Sequence, residues 1–448
     1  MKTNSLLDLE FPAISGKQVT ARFDGGDITS DSGLLLLRQA DDQIGLVSRI
    51  SSVINDKRQQ SKVLFDIPTL LRERIFAIAS GNEDANDLDT MRRDPALKLA
   101  CGRTPSEADL ASQPTFSRLE NSVSRRDMLR MGKAIAEQVV AQLPAGTLQV
   151  IIDVDAMEDE CHGQQEFEGF NAYYDSHCFL PLLLYITDET GRQYLLSAVL
   201  RPGRCAPTAG VIGLVRQAVH LLRARFGDIE IILRADSGFG CNKVLRFCQS
   251  VDIRFLLGLP TNRRVRTLAT SILMDACIKY SQLKYLAQTP ICREFGTIEY
   301  KAGTWSRKET VVVKAEVTQG ELNPRYVVTD LPCENPEAVY GLYCERGDRE
   351  NRIKEFKLDM FAGRTSCHWF SANQFRLLLH TAATVLMGVI QRAATGTELA
   401  KAQAGTLRLK LMKVGARIQE TCRRVWVHLS SSYTYQNIWK HVHAALMT

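Results

Sequence analysis

From residue 148 onward the chain alternates between two hydrophobic periods, and the order in which they come restricts the fold more than any other feature. The run Leu148-Gln-Val-Ile-Ile-Asp-Val-Asp155 predicts a strand, residues 179–187 a second and 192–200 a third. A helix follows over 208–226, then a strand ending in Leu-Arg-Ala-Asp236, a helix near 242–250 and a strand at 253–259. Three strands, helix, strand, helix, strand calls for a mixed sheet flanked by helices.

The core is not finished at that point, because its last helix comes only at 336–360. The interval holds more β runs, at 293–302, 310–317 and 325–331. Upstream, one alternating run at 18–23 precedes a good N-cap at Thr29-Ser-Asp-Ser and helical patterns at 61–81, 91–101 and 127–143. Downstream, 371–392 reads as a strongly apolar helix and 406–424 as a basic, amphipathic one. The expected architecture is α/β: a ribonuclease-H-like core at 147–260 and 336–395, a β-rich insertion at 261–335, a helical N-terminal domain at 1–146 and a helical basic C-terminal region at 396–448.

A chain of 448 residues with 45% hydrophobic and 24% charged residues has the makings of two or three soluble domains. Its net charge of +6 favours polyanionic partners, and from residue 393 to the end eight Lys/Arg stand against two Asp/Glu. Within that tail, Arg408, Lys410, Lys413 and Arg417 are candidate phosphate contacts. Arg118, in the capped segment 112–121 that leads into Arg125, Arg126 and Arg130, is another; the alternative there is a solvated basic face. Twelve cysteines without zinc spacing read as the reduced thiols of a cytoplasmic protein, and no apolar run suggests a membrane span.

The chemistry lies on the sheet and on the late helix. Asp153 and Asp155, two apart on one strand, share a face, so either could hold a metal ion. Asp236 ends an apolar run just before Ser-Gly-Phe-Gly; such an acid is either a turn residue or a ligand at the carboxyl edge of the sheet. On a helix, Tyr343, Arg346, Glu350 and Lys357 fall within an arc of roughly 60°, while Glu345, Asp348, Glu355 and Asp359 point elsewhere. Glu350 is therefore the one acid in a cationic stripe, and Leu342, Ile353 and Met360 form an apolar edge beside it. Either the stripe is a salt-bridged exposed face, or it sets metal and phosphate oxygens side by side. Acids from Asp153/Asp155, Asp236 and Glu350 could together hold two Mg²⁺ ions, with Mn²⁺ as a substitute, about 4 Å apart for in-line phosphoryl transfer.

The spacing Tyr343-x2-Arg346-x3-Glu350-x6-Lys357 matches the YREK signature of bacterial insertion-sequence transposases, and the chain resembles the insertion sequence four superfamily of DDE enzymes. Asn86-Asp-Leu-Asp, Asp94-Pro-Ala-Leu-Lys-Leu-Ala, Ser112-Gln-Pro-Thr-Phe-Ser-Arg-Leu-Glu-Asn, Leu180-Pro-Leu, Arg201-Pro-Gly and Ala372-Asn-Gln-Phe-Arg-Leu-Leu-Leu-His-Thr-Ala are similar to the insertion sequence thirteen-eighty family, over nearly the whole chain. The resemblance implies a cut-and-paste transposase that binds terminal inverted repeats in double-stranded DNA, works as a homodimer on paired ends and resides in the bacterial cytoplasm on the nucleoid. It implies catalytic acids at Asp155, Asp236 and Glu350, phosphate contacts from Tyr343, Arg346 and Lys357, and a β-rich insertion between the second and third acids. The pattern departs at the first strand, where Ala156-Met157 follow Asp155 in place of the family's Asp-Thr. Asp153 thus stays open as the first acid. Trp305, in the insertion, is either a hairpin aromatic or, as the resemblance implies, a wedge that stacks on a flipped base. A catalytically inactive, transposase-derived DNA-binding protein is the alternative function.

Overall fold

The structure, a computed structural model, describes residues 8–284 and 291–447, apart from the side chains of Asp348 and Arg349. It divides into two compact units. The larger comprises Ser52–Asn55 and Val123–Val385; the smaller gathers the chain up to Ser51, Asp56–Ser122 and the chain from Leu386 onward.

In the larger unit, helix α1 (Arg125–Ala141) precedes β1 (Gln149–Ala156). Three short strands follow, β2 (Asp159–Glu160), β3 (Gly169–Asn171) and β4 (Ser176–Phe179), which form a small sheet of their own. Then come β5 (Leu182–Asp188), β6 (Gln193–Val199), α2 (Val211–Phe226), β7 (Glu230–Ala235), α3 (Asn242–Ser250) and β8 (Arg254–Leu259). These match the expected order of elements. The next stretch departs from it: α4 (Arg263–Leu268) and α5 (Thr270–Leu283) come before the strands β9 (Ile291–Tyr300), β10 (Glu309–Thr318) and β11 (Glu321–Thr329). Asn262 caps α4 by accepting from the Val265 amide at 3.0 Å, a helix start that a strand-centred reading of 261–335 passes over.

The three late strands do not stand apart as an insertion. β11 pairs antiparallel with β8, from Leu256 opposite Thr329 to Leu259 opposite Tyr326, so one eight-stranded sheet runs β9-β10-β11-β8-β7-β1-β5-β6. Its centre is parallel: β1 pairs with β7 and β7 with β8. Strands covered on both faces need near-continuous apolar runs, and Val150, Ile151, Ile152 and Val154 of β1 are all buried. Ile151, Ile232, Leu256, Val312 and Val327 make one core with Tyr340 of helix α6 (Pro336–Cys344). This core crosses from the early strands to the late ones, which is why the interval joins the sheet. Each such buried side chain contributes roughly 1.5–3 kcal/mol.

Tyr343, Arg346, Glu350 and Lys357 do not share one regular helix. α6 ends at Cys344, α7 covers Gly347–Lys354, and a π-turn takes up Glu355–Asp359. The π-turn inserts an extra residue per turn, which rotates Lys357 off the arc expected for it. Phe356 and Met360 are buried and anchor this segment.

In the smaller unit a hairpin of Leu9–Ile14 and Lys17–Ala21 precedes helices Leu34–Ile44, Ile67–Ser80, Pro95–Ala100 and Gln113–Ser122. The C-terminal region belongs to this unit and is not wholly helical. Ala404–Met412 is helical, but Ala416–Glu420 and Val425–Leu429 are strands that pair with each other, and the first pairs also with Ile28–Thr29. Ala416 and Ile418 are buried while Arg417 and Gln419 are exposed; that period-two alternation overrides the expected helix over 406–424. α1 falls in the larger unit, so the expected N-terminal domain at 1–146 is split.

Glu73 is fully buried in the smaller unit and accepts one hydrogen bond, from the Ala111 amide at 3.0 Å. Burial pushes its carboxyl up to about 8. The folded state then favours the protonated acid, so stability is highest below the ordinary value of 4.5 and falls as pH rises toward 8. A loss on the order of 2–4 kcal/mol across that window is expected, and Glu73→Gln should remove it. Thermal unfolding at several pH values checks this: parallel pH profiles for the two proteins would refute it.

Candidate active site

The register of β1 and β7 builds the site. Arg234 lies opposite Asp153 and Ala235 opposite Val154, so one more step sets Asp236 opposite Asp155 at the carboxyl edge. Alternation then puts all four polar residues on one face. Asp153 and Arg234 form the inner pair. Both are about 1% exposed, with Nε to Oδ1 at 2.8 Å and Nη2 to Oδ2 at 3.0 Å, and the Thr187 hydroxyl donates to Oδ2 at 3.1 Å. Arg234 also donates to the Leu342 carbonyl. A carboxylate held in this way is a structural ion pair, and Asp153 is thereby separated from the open edge where a ligand would enter.

Asp155 and Asp236 form the outer pair. Asp155 Oδ1 accepts from the Ala156 amide at 2.9 Å and Asp236 Oδ1 from the Gly238 amide at 2.7 Å, so one oxygen of each is fixed by its own backbone. The other oxygens face one cation: Arg346 Nη2 lies 3.0 Å from Asp155 Oδ2 and 4.0 Å from Asp236 Oδ2. Burial alone would lower the Arg346 pKa, but Asp155, Tyr343, Asp236 and Glu350 outweigh it and hold the guanidinium above its ordinary value. Its Nε is buried and finds no partner among the described residues.

Tyr343 closes the floor. A β-carbon at Gly258 would stand 2.6 Å from the Tyr343 hydroxyl and 2.7 Å from the Ser237 amide, so this position in β8 must be glycine for the phenol to approach the turn after Asp236. Glu350 is exposed on α7. Among the described residues no three acids, imidazoles or thiols stand close enough together to hold a metal ion; Asp155 and Asp236 meet around a guanidinium, and Glu350 joins them only through its field on Arg346. Lys357 lies 3.4 Å from Glu158, whose other oxygen accepts from the Ser176 hydroxyl at 2.7 Å. Of the other acids near the stripe, Glu345 lies 3.6 Å from Arg234 and Glu355 pairs with Arg352, while the Asp348 side chain lies outside the described residues.

Several polar groups here carry no motif in the sequence. Burial first, then the charges of Asp155, Tyr173, Glu158 and Asp236, push the Tyr174 phenol up to about 12. Asp159, pushed up to about 7 by burial, accepts from the Thr365 hydroxyl at 2.7 Å.

The remaining candidates are dispersed. Trp305 is 5% exposed and packs edge-on against Tyr300, with centroids 5.3 Å apart, which is the hairpin-aromatic arrangement and leaves no free face for a base. Arg118 is exposed, with one guanidinium nitrogen 3.3 Å from the Thr115 hydroxyl. The tail cations do not form one face. Arg408 is 8% exposed and donates to the Ala79 carbonyl at 2.9 Å, capping the helix Ile67–Ser80. Lys413 pairs with Asp31 at 2.6 Å, and Lys410 lies 4.5 Å over the Tyr435 ring. Arg417 alone of the four is exposed on a strand.

The β1–β7 register thus brings two strand-end carboxylates to one edge of a mixed sheet, where Arg346 faces both. The family model for the transposase DDE domain, group 1, matches residues 11–448, and the chain belongs to that family. It is a transposase, and the family implies a nuclease/transferase enzyme. No curated protein matches the chain. Among the described residues no helix is long and apolar enough to cross a membrane.

Proposed function

We propose that the protein is a cut-and-paste transposase of the insertion sequence four type: a cytoplasmic enzyme that binds terminal inverted repeats, hydrolyses DNA at the element ends and joins the freed 3′ hydroxyls to target DNA, acting as a homodimer on paired ends. The observation that carries this reading is the convergence of Asp155 and Asp236 on one guanidinium. The order β6-β5-β1-β7-β8, with β5 alone antiparallel, supports a ribonuclease-H-like core.

The chemistry of the donor set suits a divalent metal, although among the described residues no three such donors stand together. Arg346 serves as a stand-in cation: it occupies the point toward which two hard oxygen donors from adjacent strands are turned, and Glu350 adds a third oxygen donor of the kind Mg²⁺ and Mn²⁺ prefer. Bound ions would activate the attacking oxygen and neutralise the leaving one. Asp155, Asp236 and Glu350 are the residues that would hold them, and Asp153 serves as the buried partner of Arg234. Arg346 would exchange carboxylate for phosphate, to which its Nε, without a partner among the described residues, can also donate. Tyr343 and Lys357 would flank the same strand.

The test is strand transfer in vitro with Mg²⁺, using a labelled fragment that ends in the inverted repeat flanking the reading frame. Joined products are expected; tight repeat binding with no nicking would instead mark a DNA-binding protein without catalysis.

A further inference from the structure

Adjacent strands of the sheet each contribute one polar residue to a row that lies against the helical segment of the site. Arg234 of β7 stands opposite Asp153 of β1, and Asp153 opposite Tyr185 of β5, so the three side chains share one face. All are buried. Asp153 holds Arg234 through both carboxylate oxygens, and Arg234 donates beyond it to the Leu342 carbonyl. At the other end of the row, the Tyr185 hydroxyl donates to the Arg352 carbonyl at 3.3 Å.

Those two carbonyls bracket the stripe: Leu342 precedes Tyr343, Arg346 and Glu350, and Arg352 follows them. Each also falls beside a break in the helical run. α6 ends at Cys344, and the Arg346 amide turns to the Tyr343 carbonyl at 3.1 Å, so Leu342 carries one of the terminal carbonyls that need partners from outside the helix. Arg352 lies in the last turn of α7, just before the π-turn at Glu355–Asp359. A helical run broken on both sides of the stripe does not by itself fix where the stripe lies; contacts to the sheet must do so. The main chain is held from β7 on one side and from β5 on the other, and Arg346 comes down between them, 3.0 Å from Asp155 of β1. Both donors take backbone carbonyls, a grip that does not depend on the side chains of the stripe.

We infer that Arg234 and Tyr185 are positioning residues that seat segment 342–352 on the sheet by its main chain, so that Arg346, and Glu350 one turn beyond it, are presented to Asp155 and Asp236. The inference rests on the transposase reading above and adds the residues that set the geometry of its site. Neither residue acts on DNA itself; each works through the backbone of the segment.

Two variants of the full chain test it. Tyr185→Phe removes one hydroxyl and keeps the ring, while Asp153→Leu/Arg234→Met replaces the buried ion pair by apolar side chains, an exchange that folds often tolerate. Amide hydrogen exchange without DNA or metal reads the seating; nicking of end DNA in Mg²⁺ at saturating protein and gel shifts in Ca²⁺ read its consequence. In Tyr185→Phe the amides of 343–352 should exchange roughly 5-fold faster, the effect of one lost hydrogen bond, with exchange elsewhere in the larger unit unchanged. Nicking should slow by roughly 10- to 100-fold, since a misplacement of about 1 Å suffices for that, while affinity for end DNA holds. The double variant should show both effects more strongly. Parental nicking by either folded variant overturns the inference, as does slowed nicking with unchanged exchange over 343–352. Exchange that rises evenly across the larger unit would mark a role in stability alone and overturn it too. Wild-type protein that binds end DNA and never nicks it would overturn the transposase reading instead, and the local exchange difference would still decide whether the segment is seated in this way.

Discussion

Asp153→Asn will lower the stability of the larger unit by about 3–5 kcal/mol, the usual consequence of removing one partner of a buried ion pair. The reason is what remains: Arg234, about 1% exposed, would keep its charge beside a neutral amide that offers it one acceptor oxygen in place of two and turns an NH2 group toward it. Asp155→Asn, two residues on, should cost far less, because Asp155 sits at the open edge and its Oδ1 is fixed by a backbone amide that an amide oxygen can also accept from. Chemical denaturation of the two variants separates the roles of acids that alternation alone leaves equivalent. If Asp153→Asn unfolds like wild type, the pair is not structural and Asp153 returns as a candidate metal ligand.

Glu350→Gln should abolish cleavage, by at least about 10³-fold, while leaving affinity for end DNA intact or slightly raised. The substitution keeps size and removes the anion, and Glu350 is exposed, so the fold does not depend on it. Arg346→Ala should act differently, weakening the bound end along with the rate, since it removes the guanidinium that faces Asp155 and Asp236 and would contact phosphate. Gel shifts in Ca²⁺ and nicking in Mg²⁺ on the same proteins check the division. Parental nicking by Glu350→Gln would remove it from the site.

Much of the larger unit was legible because its strands are either continuously apolar or strictly alternating, and because Asp236 ends a run that had to terminate at a sheet edge. The role of Asp153 was not, since its partner Arg234 lies 81 residues away and meets it only through the β1–β7 register. Local periodicity also missed α5, where only Leu273 and Ala276 are buried and the apolar stripe is thin. It over-extended the helix beyond Met412, where charged residues on a two-residue alternation mimic an amphipathic helix. The stripe of Tyr343, Arg346, Glu350 and Lys357 was found from spacing, yet the π-turn that carries Lys357 toward Glu158 leaves no mark in composition. Tyr174 had no motif at all: it lies in the turn between β3 and β4, where burial and the charges of Asp155, Glu158 and Asp236 act on its phenol.

Asp155 and Asp236, bridged by Arg346, are the proposed carboxylates of a divalent-metal site. Electron paramagnetic resonance of Mn²⁺ titrated into the wild-type protein on end DNA, and into Asp155→Asn/Asp236→Asn, tests it without relying on turnover. Bound Mn²⁺ is expected in the wild-type complex and its loss in the double variant; undiminished Mn²⁺ binding by a folded double variant would contradict the account.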